Sequence, residues 1–440
     1  MVDFTQTRSI QARKDSLLNN LFRGYEGPAF AVRLWDGRKW SSSANEKPAC
    51  TLVVGNPNAL ASLAVRPNEI TLGEAYVNGD LDVEGDIFSV FPVAEYLFHR
   101  PRGLRQKITE KVARAAFEVT QFLKHGSLNS KGRQHASIAY HYDLPVAFYE
   151  PWLGKSLVYS CAYFKSAEDR LDAAQEQKLD LICRKLRLKP GERFLDIGCG
   201  WGSLVLHAGA KCHAMAQGIT LSRQQAATGK SRIDEAGMRD CCSVEMWDYR
   251  ELNGRELGGA KESIDKIASV GMFEHVGLKN LPLYFGIAYR LLRPGGLLLN
   301  HGIARSDLST GRESSFIGRY VFPDGRLATL SQTLAAAESQ GLEVRDVENL
   351  REHYELTLRR WVDGLKQNEA ELLQIVPKTT YRIWLLYMAG SAAAFHRGDI
   401  GVYQVLLSRP DKGNCRLPLT RDDWYRVNLS PGSSKAKAGN

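Results

Sequence analysis

A chain of 440 residues has room for two or three domains of roughly 100 to 200 residues and for a large buried core. Its 44% hydrophobic and 24% charged residues are those of an ordinary globular protein, and its longest uncharged apolar window, Ile383 to Phe395, is well short of the roughly 20 residues a membrane-spanning helix needs. An excess of 58 basic over 49 acidic side chains, +9 in all, points to a polyanionic partner: nucleic acid, acidic lipid or an acidic metabolite.

In chain order, the first hundred residues read as strand-rich. Short apolar runs, Phe30 to Leu34 and Leu52 to Val54, are broken by turn signals at Asp36-Gly37, Gly55-Asn56-Pro57, Asn78-Gly79-Asp80 and Glu84-Gly85-Asp86. A small α+β domain over 1–99 is expected, without a catalytic constellation of its own. From Arg100 to Gln134 there are nine Lys or Arg against Glu110 and Glu118, so this stretch carries +7 of the net charge. Ile108, Val112, Ala115, Val119, Phe122 and Leu123 recur at helical spacing beside a row of Lys107, Lys111 and Arg114. A basic amphipathic helix and linker over 100–134 follow, either docked between domains or lying on a membrane surface.

The remainder, 135–429, alternates strand and helix patterns. Strands are expected at Arg193 to Ile197, His213 to Thr220, Ser243 to Trp247, Asp265 to Val270 and Gly296 to Ile303, which makes βαβ units and a doubly wound parallel sheet. The tail 430–440 reads as disordered. Eight scattered cysteines form neither a disulfide framework nor a zinc pattern, and Cys241-Cys242 reads as a small apolar pair, so neither metal nor disulfide is expected. The opening MVDFTQTRSIQARKDSLL has no apolar secretion core, which makes the cytoplasm the expected compartment.

The chemistry-bearing motif is Leu195-Asp196-Ile197-Gly198-Cys199-Gly200-Trp201-Gly202, an apolar strand ending in Asp and then three glycines at alternate positions. Glycines there let a ligand approach the backbone. A nicotinamide site fits poorly: Ser203 stands where a third fingerprint glycine belongs, and Gly218-Ile219-Thr220 occupies the region that would carry the ribose carboxylate. The motif suits S-adenosylmethionine, its amino-acid end against the glycine loop near Asp196. The alternative is a purely structural glycine turn.

Further motifs accompany the loop: His141-Tyr142-Asp143-Leu144, Tyr159-Ser160-Cys161-Ala162-Tyr163-Phe164, Gly218 to Ser222 with Gln224-Gln225, Asp248-Tyr249-Arg250, Gly271 to Gly277, Tyr320 to Gly325, His353-Tyr354 and Trp361. With these the chain resembles the cyclopropane-fatty-acyl-phospholipid synthase and mycolic-acid methyltransferase family over most of its length. The leading stretch Leu72 to Asp86 resembles that of bacterial synthases acting on phospholipid. The resemblance implies a Rossmann-like methyltransferase domain behind the smaller N-terminal domain, with cofactor contacts at Tyr159, Ser160, Asp196, Gly198, Cys199, Gly200, Gly202, Thr220, Leu221, Gln225, Trp247 and Asp248. It also implies a bound bicarbonate as the base, held by the backbone of Cys161 and Ile303 and by the side chains of Glu274, His301 and Tyr354.

Those residue types fit the task. Methyl addition to an alkene leaves a carbocation, so the site must exclude water, stabilise positive charge and aim one base at the new methyl group. His301 and Tyr354 donate to an anion, and Glu274 accepts from bicarbonate's hydroxyl. Tyr163, Phe164, Tyr320 and Trp361 offer aromatic faces to a cation or serve as packing. Neighbours on a strand end point apart, which favours Glu274 over His275. Two positions depart from the family pattern: Ser391 stands where many members carry a cysteine regarded as catalytic, and Pro145-Val146-Ala147 replaces the usual residues after His-Tyr-Asp-Leu.

The expected activity is transfer of a methylene unit from S-adenosylmethionine to the cis double bond of a phospholipid acyl chain, forming a cyclopropane. A related enzyme adds a methyl or methylene branch without ring closure. RNA or small-molecule methylation would leave the leading module and the Glu274, His301 and Tyr354 set unexplained, and a non-enzymatic lipid-binding protein would not consume the cofactor. The expected partner is phospholipid at an anionic membrane surface, on the inner face of the membrane, with no nucleic acid; a homodimer is left open.

Overall fold

A computed structural model of the chain describes residues 17–65, 67–99, 144–254, 263–306, 315–321 and 327–425. In the leading part, β1 (Phe30–Leu34) and β3 (Cys50–Val54) alternate buried and half-buried residues, the period of two of a sheet with one covered face. β1 runs parallel to β3 and antiparallel to β2 (Lys39–Ser41), and β4 (Leu81–Gly85) completes the order β2-β1-β3-β4. Helix α1 (Glu69–Asn78) starts where the Asn68 side chain accepts from the Thr71 amide and stops at Gly79, whose φ of 84° a side chain would oppose. Helix α2 (Val90–His99) buries Val93 and Leu97 in the core of this sheet.

The second sheet is larger. Its seven strands lie in the order β10-β11-β9-β8-β5-β6-β7. β5 (Arg193–Ile197), β6 (Met215–Thr220), β7 (Cys242–Met246), β8 (Ile264–Val270) and β9 (Leu292–Arg305) are parallel, while β10 (Glu343–Asn349) and β11 (Ile400–Ser408) form an antiparallel edge. The chain turns to opposite sides of β5, to β6 and to β8, and at such a switch point a crevice opens beyond the carboxyl ends of the strands. Two apolar clusters cover the two faces of this sheet.

The expected strands are present with two instructive shifts. His213 closes the preceding helix with a left-handed φ of 54°, so β6 begins only at Met215. β9 outruns the expected Gly296 to Ile303 at both ends because it pairs with β8 along one edge and with β11 along the other. The predicted basic helix, the His141-Tyr142-Asp143 motif and Phe322 to Gly325 lie outside the described residues.

Four helices complete the frame around the crevice: α3 (Val146–Leu153), α4 (Leu171–Lys185), α5 (Arg351–Gln367) and α6 (Lys378–Arg397). α3, α5 and α6 enclose an aromatic core of Phe148, Tyr149, Trp152, Trp361 and Trp384, to which the leading part adds Tyr76 and Ile87. Arg382 of α6 crosses that junction. Its guanidinium donates to the carbonyls of Tyr76 (2.6 Å) and Leu81 (2.8 Å) and to Asp82 (3.2 Å), and lies 4.0 Å over the Tyr76 ring. Among the described residues no helix is long and apolar enough to cross a membrane, and all eight cysteines are free.

Candidate active site

A pocket partly open to solvent occupies the crevice beyond β5. Its wall includes Tyr159, Ser160, Asp196, Gly198, Cys199, Gly200, Thr220, Leu221, Gln225 and Trp247, ten of the twelve cofactor contacts expected from sequence. Gly200 shows why the loop needs glycine: its φ is 54°, and no atom lies within 4 Å of where a Cβ would stand, so a side chain would project into free space. Thr220 and Gln225 are buried and joined by a hydrogen bond of 2.7 Å, with the Ser222 side chain capping the helix that follows through the Gln225 amide.

Two expected contacts are elsewhere. Gly202, with φ of 80°, faces the helix layer, where a Cβ would come within 3.3 Å of Val244 and 3.7 Å of the Gly229 backbone; it is a close-packing glycine. Asp248 is buried behind the wall, its carboxylate held by the Arg250 guanidinium and backbone amide, and Tyr249 and Arg250 line the pocket instead.

The sequence reading missed the floor. Lys178 of α4 lines the pocket and donates to the Ser160 hydroxyl at 2.9 Å, while Gln175, one turn earlier, donates to the carbonyls of Ser160 (3.0 Å) and Val158 (3.4 Å). The i, i+3 spacing of Gln175 and Lys178 was the available signal. Burial pushes the Asp196 carboxyl up to about 7, against the pull of Lys178, and pushes Lys178 down to about 8. The Asp196 Oδ1 atom is buried with no hydrogen-bond partner among the described residues.

Beside this pocket a second polar cluster forms at the ends of β8 and β9. Glu274 and His275 do point apart: His275 lines the cofactor pocket, and Glu274 accepts from the Ile303 amide at 2.7 Å. Burial raises the Glu274 carboxyl to about 7 and lowers His275 to about 4. His301 lies two residues before Ile303, on the same side of β9, and pairs across the ladder with Gln404, whose side chain meets its Nδ1 at 3.2 Å. Glu274 Oε2 and His301 Nε2 are buried and have no partner among the described residues.

Tyr354 and Cys161 reach the same neighbourhood through Leu350, whose carbonyl accepts from the Tyr354 amide (3.0 Å) and lies 3.8 Å from the Cys161 thiol, while its own amide bonds Val402, the ladder partner of Ile303. The Cys161 side chain is fully buried, and burial drives its thiol far above the ordinary range, so any role is left to its backbone. Ser391 is buried on α6, four residues after Tyr387 and four before Phe395, which packs 4.7 Å from Tyr354. Tyr387 was also missed: burial keeps its hydroxyl neutral, it is hydrogen-bonded to Tyr159, and it lies within electrostatic reach of Glu274, which links the two halves of the site.

The aromatic expectations divide. Trp361 is buried against Tyr159 (5.2 Å) and Tyr354 (6.0 Å). Tyr163 instead stacks on His353, Phe164 packs in a separate cluster with Ala162 and Ala174, and the Tyr320 hydroxyl donates to Glu74 of the leading part, because each finds a nearer partner than the pocket.

Residues 129–405 match the family model described as mycolic acid cyclopropane synthetase. The chain belongs to this family. Residues 17–96 match a domain of unknown function. A probable fatty acid methyltransferase from Pseudomonas putida is 40% identical over 404 residues, 90% of this chain and 96% of that protein. The cyclopropane-fatty-acyl-phospholipid synthase of Escherichia coli K12 is 34% identical over 293 residues, 66% of this chain and 72% of its own length. Among solved structures, the mycolic acid cyclopropane synthase CmaA1 complexed with SAH and CTAB aligns with a TM-score of 0.57 at 31% identity, covering 62% of this chain and 97% of that one. The fold of this family member is therefore that of the S-adenosylmethionine-dependent methyltransferases.

Proposed function

We propose that the protein transfers a methylene unit from S-adenosylmethionine to the cis double bond of an unsaturated phospholipid acyl chain, closing a cyclopropane ring. The observation that carries the reading is the pair of buried atoms Glu274 Oε2 and His301 Nε2, without partners among the described residues, beside a glycine-lined pocket. Buried polar groups without partners cost about 1 to 3 kcal/mol each, and a bound oxyanion of bicarbonate's size and hydrogen-bonding would satisfy both.

The residues fit S-adenosylmethionine in the crevice, with an open glycine loop for the backbone approach and an unpartnered acid for its ammonium. When bound, its sulfonium supplies an electrophilic methyl group. Glu274, His301, Tyr354 and the backbone of Ile303 and Cys161 would hold bicarbonate, which supplies a base for the proton lost at ring closure. The protein's own groups prepare that site. The Ile303 amide occupies Glu274 Oε1 and leaves Oε2 to accept from a hydroxyl. Burial and the nearby Lys178 and Lys185 keep His301 neutral, so it serves as a hydrogen-bond donor and not as an acid. Trp152, Trp361, Trp384 and Phe395 form a buried apolar cluster with Tyr159 and Tyr354 packed against it, a surrounding that would keep water from the reacting centre. The acyl chain would come from an anionic membrane surface at the inner face, an encounter that the net charge of +9 favours.

Mass spectrometry of lipids from a host expressing the chain tests the reading. A gain of one CH₂ per acyl chain that resists mild hydrogenation is expected. The same gain with uptake of hydrogen marks a methylene branch, a gain of CH₂ plus two hydrogens marks a methyl branch, and unchanged lipids refute one-carbon transfer to acyl chains.

A further inference from the structure

The floor of the cofactor pocket holds two opposite charges at a cost. Lys178 is 1% exposed and Asp196 is 2% exposed, and burial disfavours the ionised form of each. Neither is used by the proton chemistry. A protein that needed only a strut beneath Ser160 could use a neutral donor at position 178. Lysine there adds a full positive charge on the pocket wall, one turn of helix from the Gln175 side chain that fixes the Ser160 carbonyl. A ligand suits this floor if it carries a carboxylate and an ammonium on neighbouring atoms. The amino-acid end of S-adenosylmethionine is such a zwitterion.

Resting on the function proposed above, we infer that Lys178, together with the Ser160 hydroxyl it bonds, receives the α-carboxylate of S-adenosylmethionine while the free oxygen of Asp196 receives its α-ammonium. The opposed pair then serves recognition: each buried charge meets its complement, and the cost of burying both is offset only when the whole amino-acid end is present. Specificity for the intact cofactor over analogues that lack the carboxylate follows, because such an analogue leaves Lys178 buried and unmatched. α4 is thereby a binding element, although none of its residues belongs to the glycine loop.

Titration calorimetry of wild type, Lys178→Met and Lys178→Gln with two ligands decides it: S-adenosylmethionine and its decarboxylated form, which keeps the sulfonium and the amine. Wild type is expected to bind the intact cofactor about ten- to a hundredfold more tightly than the decarboxylated one. Both variants should lose that factor on the intact cofactor and keep affinity for the decarboxylated ligand within about twofold, which also shows that they are folded. Equal losses on both ligands would make Lys178 a structural strut and overturn the assignment, as would undiminished binding of the intact cofactor. Failure of wild type to bind either ligand would overturn the methyltransferase reading itself, and the assignment with it.

Discussion

The loop side of the cofactor pocket comes from two short runs, Gly198 to Trp201 and Thr220 to Gln225, that leave the ends of adjacent parallel strands, whereas Glu274, Ile303, Tyr354 and Gln404 converge from four elements between positions 274 and 404. The first region is local. Within each run its residues lie within a few positions of one another in the chain. The second is assembled by the packing of β8, β9, β11, α5 and α6, so its polar atoms are held by the same contacts that hold the core. Binding and turnover should therefore separate under mutation, binding following the pocket lining, Lys178 included, and turnover following the assembled cluster.

The strongest attempt to break that separation is Glu274→Gln. It keeps the size of the side chain but puts an amide where Oε2 accepts, and loss of an oriented base typically costs about 10² to 10⁴ in rate. Turnover should fall by that range with cofactor affinity near wild type; normal turnover would remove Glu274 from the chemistry. Gly200→Val is the mirror test. A β-branched side chain at φ of 54° is strained and enters the pocket, so calorimetry should show cofactor affinity reduced by about a hundredfold or more.

A pH series sharpens the comparison within the local region. Asp196 sits at about 7 in the free protein, so below that pH its carboxyl is neutral and no longer attracts an ammonium. Lys178, at about 8, loses its charge above that pH. Cofactor affinity should peak between the two and weaken by about tenfold at pH 6, the acid limb vanishing in Asp196→Asn. His275, at about 4, stays neutral throughout. The smallest effect is expected at Ser391→Ala: a hydroxyl without an activating base is no nucleophile, so activity should drop by less than about tenfold, and complete loss would return a catalytic role to this position.

What the sequence announced follows the same division. β1 and β5 begin and end where their apolar runs do, at Phe30 and Leu34 and at Arg193 and Ile197, and the glycine loop needs no tertiary knowledge to be suspected. Lys178 and Gln404 were easily passed over because a polar residue in a helix or strand normally faces water. Only the strap Tyr159 to Cys161 laid over α4, and the pairing of β11 with β9, bury them. Gly202 and Asp248 show the converse: neither lines the pocket. They stand in the motif, yet one is needed for contact with Val244 and the other to anchor Arg250.

The Arg382 crossing bears on how the molecule can be dissected. A cut ahead of Leu144, intended to yield a free-standing transferase fragment, would strip the guanidinium of two carbonyls, a carboxylate and an aromatic face at once. It would leave a cation on a newly bared apolar wall of the helix that carries Tyr387 and Ser391. Such a fragment should be handled as a self-associating species unless position 382 and its surroundings are redesigned, and a drop in its activity would report damage to α6 before it reported any lipid-recruiting task of the missing part.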